Sequence, residues 1–173
     1  MWADTIFTLG VNHKTAPVEV REKLTLAGTC ENPLLKIKNL PGCEECCLLS
    51  TCNRVEVIFV SKEPEVTASA VRRFLFANSD LSEEETERYS YLYRGRDAVE
   101  HVFRVAASLD SMIVGEPQIL GQLKEAYRQA CECQYTGVLL NKLLHKSFSV
   151  AKRIRTETNI GSSAVSISYA AVE

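Results

Sequence analysis

The stretch from Cys47 to Val60, CLLSTCNRVEVIFV, constrains the fold more than any other part of the chain. Val55, Val57 and Phe59 alternate with Glu56 and Ile58, and β-branched residues dominate, so this half reads as a strand. Cys47–Ser50 reads as the end of the strand before it. Cys52 therefore sits in a tight polar connection between two strands, with Arg54 two residues on. A thiol held on a turn is accessible, and a nearby cation favours its thiolate. Cys52 is the first candidate for a nucleophile. A buried, inert thiol is the competing reading, because free cysteines are usually buried.

The rest of the chain arranges itself around that pair. Thr5–Val11 is β-branched and apolar and predicts a strand. Pro17 opens a helix through about Leu26, and Glu31–Leu40 reads as a second short helix ended by Pro41-Gly42. Glu45–Ser50 and Val55–Val60 are the paired strands. Pro64–Ala77 carries Val66, Ala70, Val71, Phe74 and Leu75 at helical spacing. Asp80–Glu85 offers either a capped acidic first turn or a loop, and Tyr89–Arg94 alternates like a strand. The order strand, helix, strand, strand, helix, strand predicts an α+β fold. It is a ferredoxin-like βαββαβ sandwich over residues 1–94, its antiparallel sheet carrying helices on one face.

After Gly95 the pattern becomes helical. Arg96–Leu109, Pro117–Gln134 and Gly137–Thr158 each carry an apolar stripe, which predicts a helical subdomain over 95–160. Gly161-Ser162-Ser163 breaks the last of these, and Ser163–Glu173 restarts a helical pattern that ends without a cap. Residues 161–173 are expected to begin a long linker helix in a truncated chain.

Bulk properties narrow the function classes. The 173 residues are 46% hydrophobic and 24% charged, ordinary for a globular chain that buries a core without staples. There is no apolar run near 18 residues and no basic-then-apolar leader, so a cytoplasmic protein without a membrane partner is expected. Seven cysteines, an odd number, argue against a disulfide framework. Cys43-x-x-Cys46 resembles half of a zinc site, but Cys131-x-Cys133 is a poor second pair on a helix. Free thiols and no metal are the expectation. A net charge of −2 gives no global argument for nucleic acid. Lys142, Lys146, Lys152, Arg153 and Arg155 nonetheless crowd one late helix. Such a run is a solvated face or, as the minority reading, a set of phosphate contacts.

Other residues could carry chemistry. His101 is a natural proton-transfer group, though on spacing alone a surface or satisfied core histidine competes with that role. His13 and His145 carry no local signature. The Ser108–Gln118 loop places Ser111, Glu116 and Gln118 near a helix start, as caps or as a polar-ligand site. No Gly-rich dinucleotide loop and no Ser-His-Asp order is present. Tyr89, Tyr91 and Tyr93 alternate on one predicted strand. That pattern also suits a non-catalytic RNA-binding module that stacks bases on a ferredoxin-like sheet.

Four stretches together resemble the glutamyl-tRNA reductase family: GVNHKTAPVEVREKL, LSTCNRVEV, SLDSMIVGEPQILGQLK and AKRIRTETNIGSSAVSISYAAVE. The resemblance runs nearly end to end. It implies that Cys52 attacks the ester of glutamyl-tRNA to give a thioester, which NADPH then reduces to glutamate-1-semialdehyde, the first step of tetrapyrrole biosynthesis. It further implies that Thr51, Asn53 and Arg54 bind substrate, with Arg54 suited to the side-chain carboxylate. Ser111, Glu116, Pro117, Gln118 and Gln122 match a second substrate segment, in which the charge of Glu116 suits the substrate ammonium. His101 matches a family histidine important for activity, and it becomes the first candidate for activating Cys52. Family members continue into an NADPH-binding domain and a dimerisation domain. The implied partners of the whole enzyme are glutamyl-tRNA, a second copy of itself and the downstream aminomutase. This chain resembles the catalytic domain alone, with no cofactor-binding residues of its own.

Overall fold

The computed structural model describes residues 2–24 and 32–161. A 3-10 turn at Trp2–Thr5 leads into β1 (Ile6–Asn12), followed by α1 (Val18–Lys23) and α2 (Pro33–Lys38). The hairpin β2 (Cys43–Ser50) and β3 (Arg54–Ser61) comes next, then α3 (Pro64–Leu75), α4 (Glu83–Tyr89) and β4 (Tyr91–Arg94). Three longer helices complete the order: α5 (Gly95–Ala106), α6 (Gln118–Glu132) and α7 (Val138–Glu157). Local chemistry explains several starts. The Asn32 side chain accepts the Leu34 N–H at 3.0 Å, with Pro33 in the first turn of α2. Ser82 and Glu85 form a reciprocal capping box, so Asp80–Glu85 resolves into the start of a helix. That helix runs through Tyr89, which shortens the predicted last strand to Tyr91–Arg94.

The strands form one antiparallel sheet in the order β2-β3-β1-β4, the ferredoxin-like arrangement expected from the element order. One expectation needs correcting: helices cover both faces of this sheet. Every residue of β1 and β3 is buried, as in strands packed on both sides. Ser61 on one face of β3 bonds Thr67 of α3 at 2.8 Å, while Glu56 on the other meets His101 of α5 at 2.8 Å. Ile58 and Phe59 point to opposite layers and are almost fully buried. Each contributes roughly 1.5–3 kcal/mol to its layer. Apart from Glu56, the run VEVIFV is apolar on both faces, the signature of a strand buried on both sides.

Gly10 sits in the middle of β1, opposite Glu56 on β3 and Tyr91 on β4. A Cβ there would come within 2.6 Å of Glu56 Cγ. The missing side chain lets Glu56 lie across the central strand toward β4.

The later helices are fastened to the sheet and to each other by polar clamps. The Glu45 carboxylate on β2 accepts the backbone N–H groups of Leu139 (3.2 Å) and Leu140 (2.8 Å), capping α7 from outside. Near the other end of α7, Arg155 Nη2 donates to Glu116 O (2.7 Å), Ser108 Oγ (3.1 Å) and Gly115 O (3.3 Å). The basic run suggests a solvated face for Arg155; instead it pins the 108–116 loop. Gly115 has φ +89°, and a Cβ on it would collide with Ile160 O, so the loop lies against the 159–161 turn. The expected linker helix falls, beyond Gly161, outside the described residues.

Candidate active site

The connection between β2 and β3 is built by its own side chains. Thr51 Oγ1 accepts the N–H groups of Asn53 (3.2 Å) and Arg54 (3.1 Å), and the Thr51 N–H donates to Arg54 O at 2.8 Å. Arg21 of α1 donates from Nη1 to Cys52 O (2.8 Å) and Asn53 Oδ1 (3.4 Å). The His13 N–H donates to Asn53 O at 3.0 Å. The backbone of the turn is thus held on three sides while Cys52 itself is exposed. Cys43, Cys46 and Cys47 are buried. Burial first, and then Cys131, push the Cys47 thiol up to about 12, so it stays protonated near neutrality. Of the thiols on this hairpin, Cys52 alone meets solvent.

Cys52 opens onto a small recess of about 30 Å³. Thr51, Cys52, Asn53 and Arg54 line one side, and Ser111, Met112, Glu116, Gln118, Ile119 and Gln122 line the other. Two segments far apart in sequence therefore meet where the sequence placed its candidate site residues. Pro117 does not line the recess; it stands at the N-cap of α6.

His101 lies elsewhere. Its ring is buried, stacks on Tyr93 at 4.6 Å between centroids, and meets Glu56 Oε1 through Nε2 at 2.8 Å. Glu56 is 1% exposed and also accepts from Arg54 Nη1 (2.7 Å) and the Tyr91 hydroxyl. Arg54, 2% exposed, donates from Nη2 to Asp110 O (2.6 Å) and Asp110 Oδ2 (3.0 Å). Asp110 Oδ1 accepts from Lys14 Nζ at 2.6 Å. Charges alternate along this row: Lys14, Asp110, Arg54, Glu56, with His101 at its end.

Burial alone would raise the Glu56 carboxyl. The Arg54 charge and the His101 and Tyr91 hydrogen bonds outweigh that and hold it at about 2. Burial likewise works against Asp110, but Lys14 and Arg54 bring its carboxyl below the usual range. With Glu56 ionised it can only accept, so His101 Nε2 carries the proton between them. Burial, with Glu56 adding to it, pushes the Tyr91 hydroxyl well up, and it donates to the same carboxylate. His13 is lowered chiefly by burial and then by Arg54 and Lys14, which keeps its ring neutral near pH 7.

This geometry gives two residues singled out in the sequence partners within the protein. Both terminal nitrogens of Arg54 bond protein carboxylates, so it is neither a free fork nor a guanidinium turned onto the thiol. His101 is separated from the recess by Glu56 and Arg54. The aromatic platform also changes. Tyr91 and Tyr93 share a face on which both rings pack against His101 of α5, Tyr93 stays 36% exposed, and Tyr89 belongs to α4. Glu56, Asp110, Lys14 and Arg21 were missed by sequence reasoning. A carboxylate inside an otherwise apolar strand, two residues from an arginine, was the available signal for Glu56. Among the described residues, no group of three or more His, Cys, Asp or Glu side chains could hold a metal ion, and no helix is long and apolar enough to cross a membrane.

Comparisons with known proteins agree with one another. A family model described as glutamyl-tRNA(Glu) reductase, N-terminal domain, matches residues 9–158. A glutamyl-tRNA reductase of Desulfotalea psychrophila is 56% identical over 173 residues, covering 100% of this chain and 40% of that protein. One from Syntrophobacter fumaroxidans is 58% identical over 174 residues, covering 97% of this chain and 37% of that protein. The solved structure of glutamyl-tRNA reductase from Methanopyrus kandleri superposes with a TM-score of 0.79 at 33% identity, over 98% of this chain and 39% of that one. The chain thus spans about two fifths of the length of these relatives, and it belongs to the glutamyl-tRNA reductase family, whose N-terminal domain it matches.

Proposed function

We propose that this chain carries out the acyl-transfer half of glutamyl-tRNA reduction. The observation that supports this best is the exposed Cys52 thiol at a recess shared by the Thr51–Arg54 turn and the Ser111–Gln122 segment. Cys52 Sγ attacks the carbonyl carbon of the glutamyl ester. The new S–C bond replaces the C–O bond to the ribose, and the thiol proton ends on the departing hydroxyl. Glu116 faces the substrate ammonium, and Ser111, Asn53, Gln118 and Gln122 offer hydrogen bonds. Thr51 shapes the turn, and Pro117 sets the start of α6.

The recess has room for about one water, so the glutamyl group enters by displacing the exposed side chains of Met112 and Gln118. Arg54 meets the substrate's side-chain carboxylate by exchanging its Asp110 contact, and Lys14 keeps Asp110 paired while it does so. NADPH is implied by the family. The described residues offer no glycine-rich phosphate loop to hold it, so the chemistry assigned to this chain ends at the thioester. The test is mass spectrometry of the 173-residue chain after incubation with glutamyl-tRNA. A glutamyl adduct on the peptide containing Cys52 is expected; an unmodified Cys52 beside intact glutamyl-tRNA would sink the reading.

His101 acts here through Glu56, as a positioning residue for Arg54. His101→Ala is expected to slow acylation on the order of 10–100-fold, the usual cost of a misplaced group. His101→Gln, which can still donate to Glu56, should recover most of that loss with an unchanged pH profile. A histidine that moves the proton itself would leave Gln as slow as Ala and would remove one limb of the profile.

Lys142, Lys146 and Lys152 are exposed along α7 and suit the RNA backbone. Replacing all three by Gln should flatten the salt dependence of tRNA affinity, by roughly 0.7–0.9 in log–log slope for each phosphate no longer neutralised. An unchanged slope would mark the helix as a solvated face.

A further inference from the structure

The segment Cys43-Glu44-Glu45-Cys46, at the start of β2, has no part in the chemistry assigned to Cys52. On a regular strand, residues three apart face opposite sides. Here the pairing with β3 steps from Cys43 opposite Ser61 to Glu45 opposite Val60, so Glu44 is the extra residue of a β-bulge. Cys46 then stands opposite Phe59. Ser61 and Phe59 are two apart on β3 and share a face, so the bulge brings Cys43 and Cys46 to the same side of the sheet. That side carries α2 and α3: Ser61 bonds Thr67 at 2.8 Å, and Cys46 Sγ lies 4.0 Å from Leu34 O. Two strand residues span about 6.6 Å, inside the roughly 4.4–6.8 Å between Cα atoms that a disulfide bridges.

The two thiols are chemically unequal. The hydrogen bond from Cys46 draws the Cys43 thiol below its usual range; burial opposes this, and the Lys38 charge adds to it. The same bond, with burial, pushes the Cys46 thiol up. A lowered thiol beside a protonated partner is the working arrangement of a Cys-x-x-Cys pair. Cys43 is the terminal residue of β2. Fraying of a strand end admits a small oxidant, although not an RNA ester.

Glu45 stands between the thiols and reaches the opposite way, to the α7 amides of Leu139 and Leu140. Its seat there is tight, since a Cβ on Gly137 would come within 2.6 Å of Glu45 Oε1. The Cys46 N–H donates to Tyr135 O at 2.9 Å, and the Cys43 thiol donates to Glu45 O at 3.6 Å. The residues that carry the thiols therefore also hold the α6–α7 junction. Closing two sulfurs from hydrogen-bond contact to about 2.05 Å moves the bulge, and it removes the Cys43 proton from Glu45 O. The far end of α7 holds a wall of the Cys52 recess through Arg155, which gives such a movement a route to the site.

We propose that Cys43 and Cys46 are a redox-active dithiol whose disulfide releases the Glu45 clamp on α7. With a peroxide as oxidant, the Cys43 thiolate attacks one oxygen and the O–O bond breaks, giving a sulfenic acid and hydroxide. The hydroxide takes up the proton that Cys43 gave and leaves as water. The Cys46 thiol then attacks the Cys43 sulfur, the S–O bond breaks, and a second water leaves. Two thiols have lost two electrons, and the peroxide has gained them.

The test uses the full chain carrying Cys52→Ala, so it does not depend on the acyl-transfer reading. The chain is treated with stoichiometric hydrogen peroxide, and remaining thiols are then blocked. Peptide mapping should find Cys43 joined to Cys46, and dithiothreitol should reverse the bond. Amide exchange at Leu139 and Leu140 should quicken roughly tenfold or more, the effect of losing a bond to a charged acceptor. Adding Cys43→Ser should abolish both changes. Cys43 and Cys46 left as free thiols, or joined to other cysteines, would overturn the dithiol. A Cys43–Cys46 bond with unchanged exchange at Leu139 and Leu140 would overturn the release. So would faster exchange that persists with Cys43→Ser.

Discussion

A chain carrying Cys52→Ala is expected to form no glutamyl adduct and to deacylate glutamyl-tRNA slower by roughly 10⁴-fold or more. Its stability should stay within about 0.5 kcal/mol of the parent, because the thiol is exposed. Residue 52 itself is held through its backbone: Arg21 bonds the Cys52 carbonyl whatever side chain that residue carries. Neighbouring thiols cannot take over, since Cys43, Cys46 and Cys47 are buried. Single-turnover deacylation, intact-mass measurement and urea unfolding on the same preparation check all three parts. Deacylation within tenfold of the parent would place the nucleophile elsewhere.

Arg54→Met is expected to act on stability as strongly as Cys52→Ala acts on chemistry, costing about 3–5 kcal/mol at neutral pH. The loss comes from what is left behind. Glu56, 1% exposed, would keep the His101 and Tyr91 bonds but lose the charge that opposes its burial. Adding Glu56→Gln should therefore recover part of the loss, a coupling that a double-mutant cycle measures.

The pH dependence has a definite sign. In the parent the Glu56 carboxyl sits at about 2, against an ordinary value of 4.5. Its contribution is present above pH 4.5 and is lost as the pH falls from there through about 2. That contribution is on the order of 3 kcal/mol. In Arg54→Met, burial draws the same group upward, so the decline should begin at a higher pH. Unfolding midpoints at pH 7, 5 and 3 for parent and variant would expose a parallel decline, which is the result that contradicts this account.

Much of this was readable from residues whose local chemistry is self-contained. VEVIFV names a strand by its alternation and β-branching, and Ser82 with Glu85 names a helix start by a reciprocal cap. The exposed thiol was readable because a polar break between strands leaves nowhere to bury it. The ionic row was not readable in the same way. Arg54 looked like a free cation because its partners, Glu56 and Asp110, stand two and fifty-six residues away. Only the register that sets Gly10 opposite Glu56 brings His101 and Tyr91 to the same carboxylate. Arg155 escapes a sequence reading for the same reason: its acceptors are carbonyls of a loop some forty residues earlier. Sequence periodicity reports which way a side chain faces, but not which distant backbone group waits there.

The clamps at the two ends of α7 have a mechanical consequence. The helix has 20 residues, hence a length of about 30 Å. One end is bolted to the sheet edge by Glu45, and the other holds the 108–116 loop through Arg155. It works as a strut between the outermost strand and one wall of the Cys52 recess, and a hydrogen-bonded helix compresses little along its axis. A tilt of α7 therefore reaches that wall as a displacement, and the aperture in front of the thiol is set by a helix that does not line it.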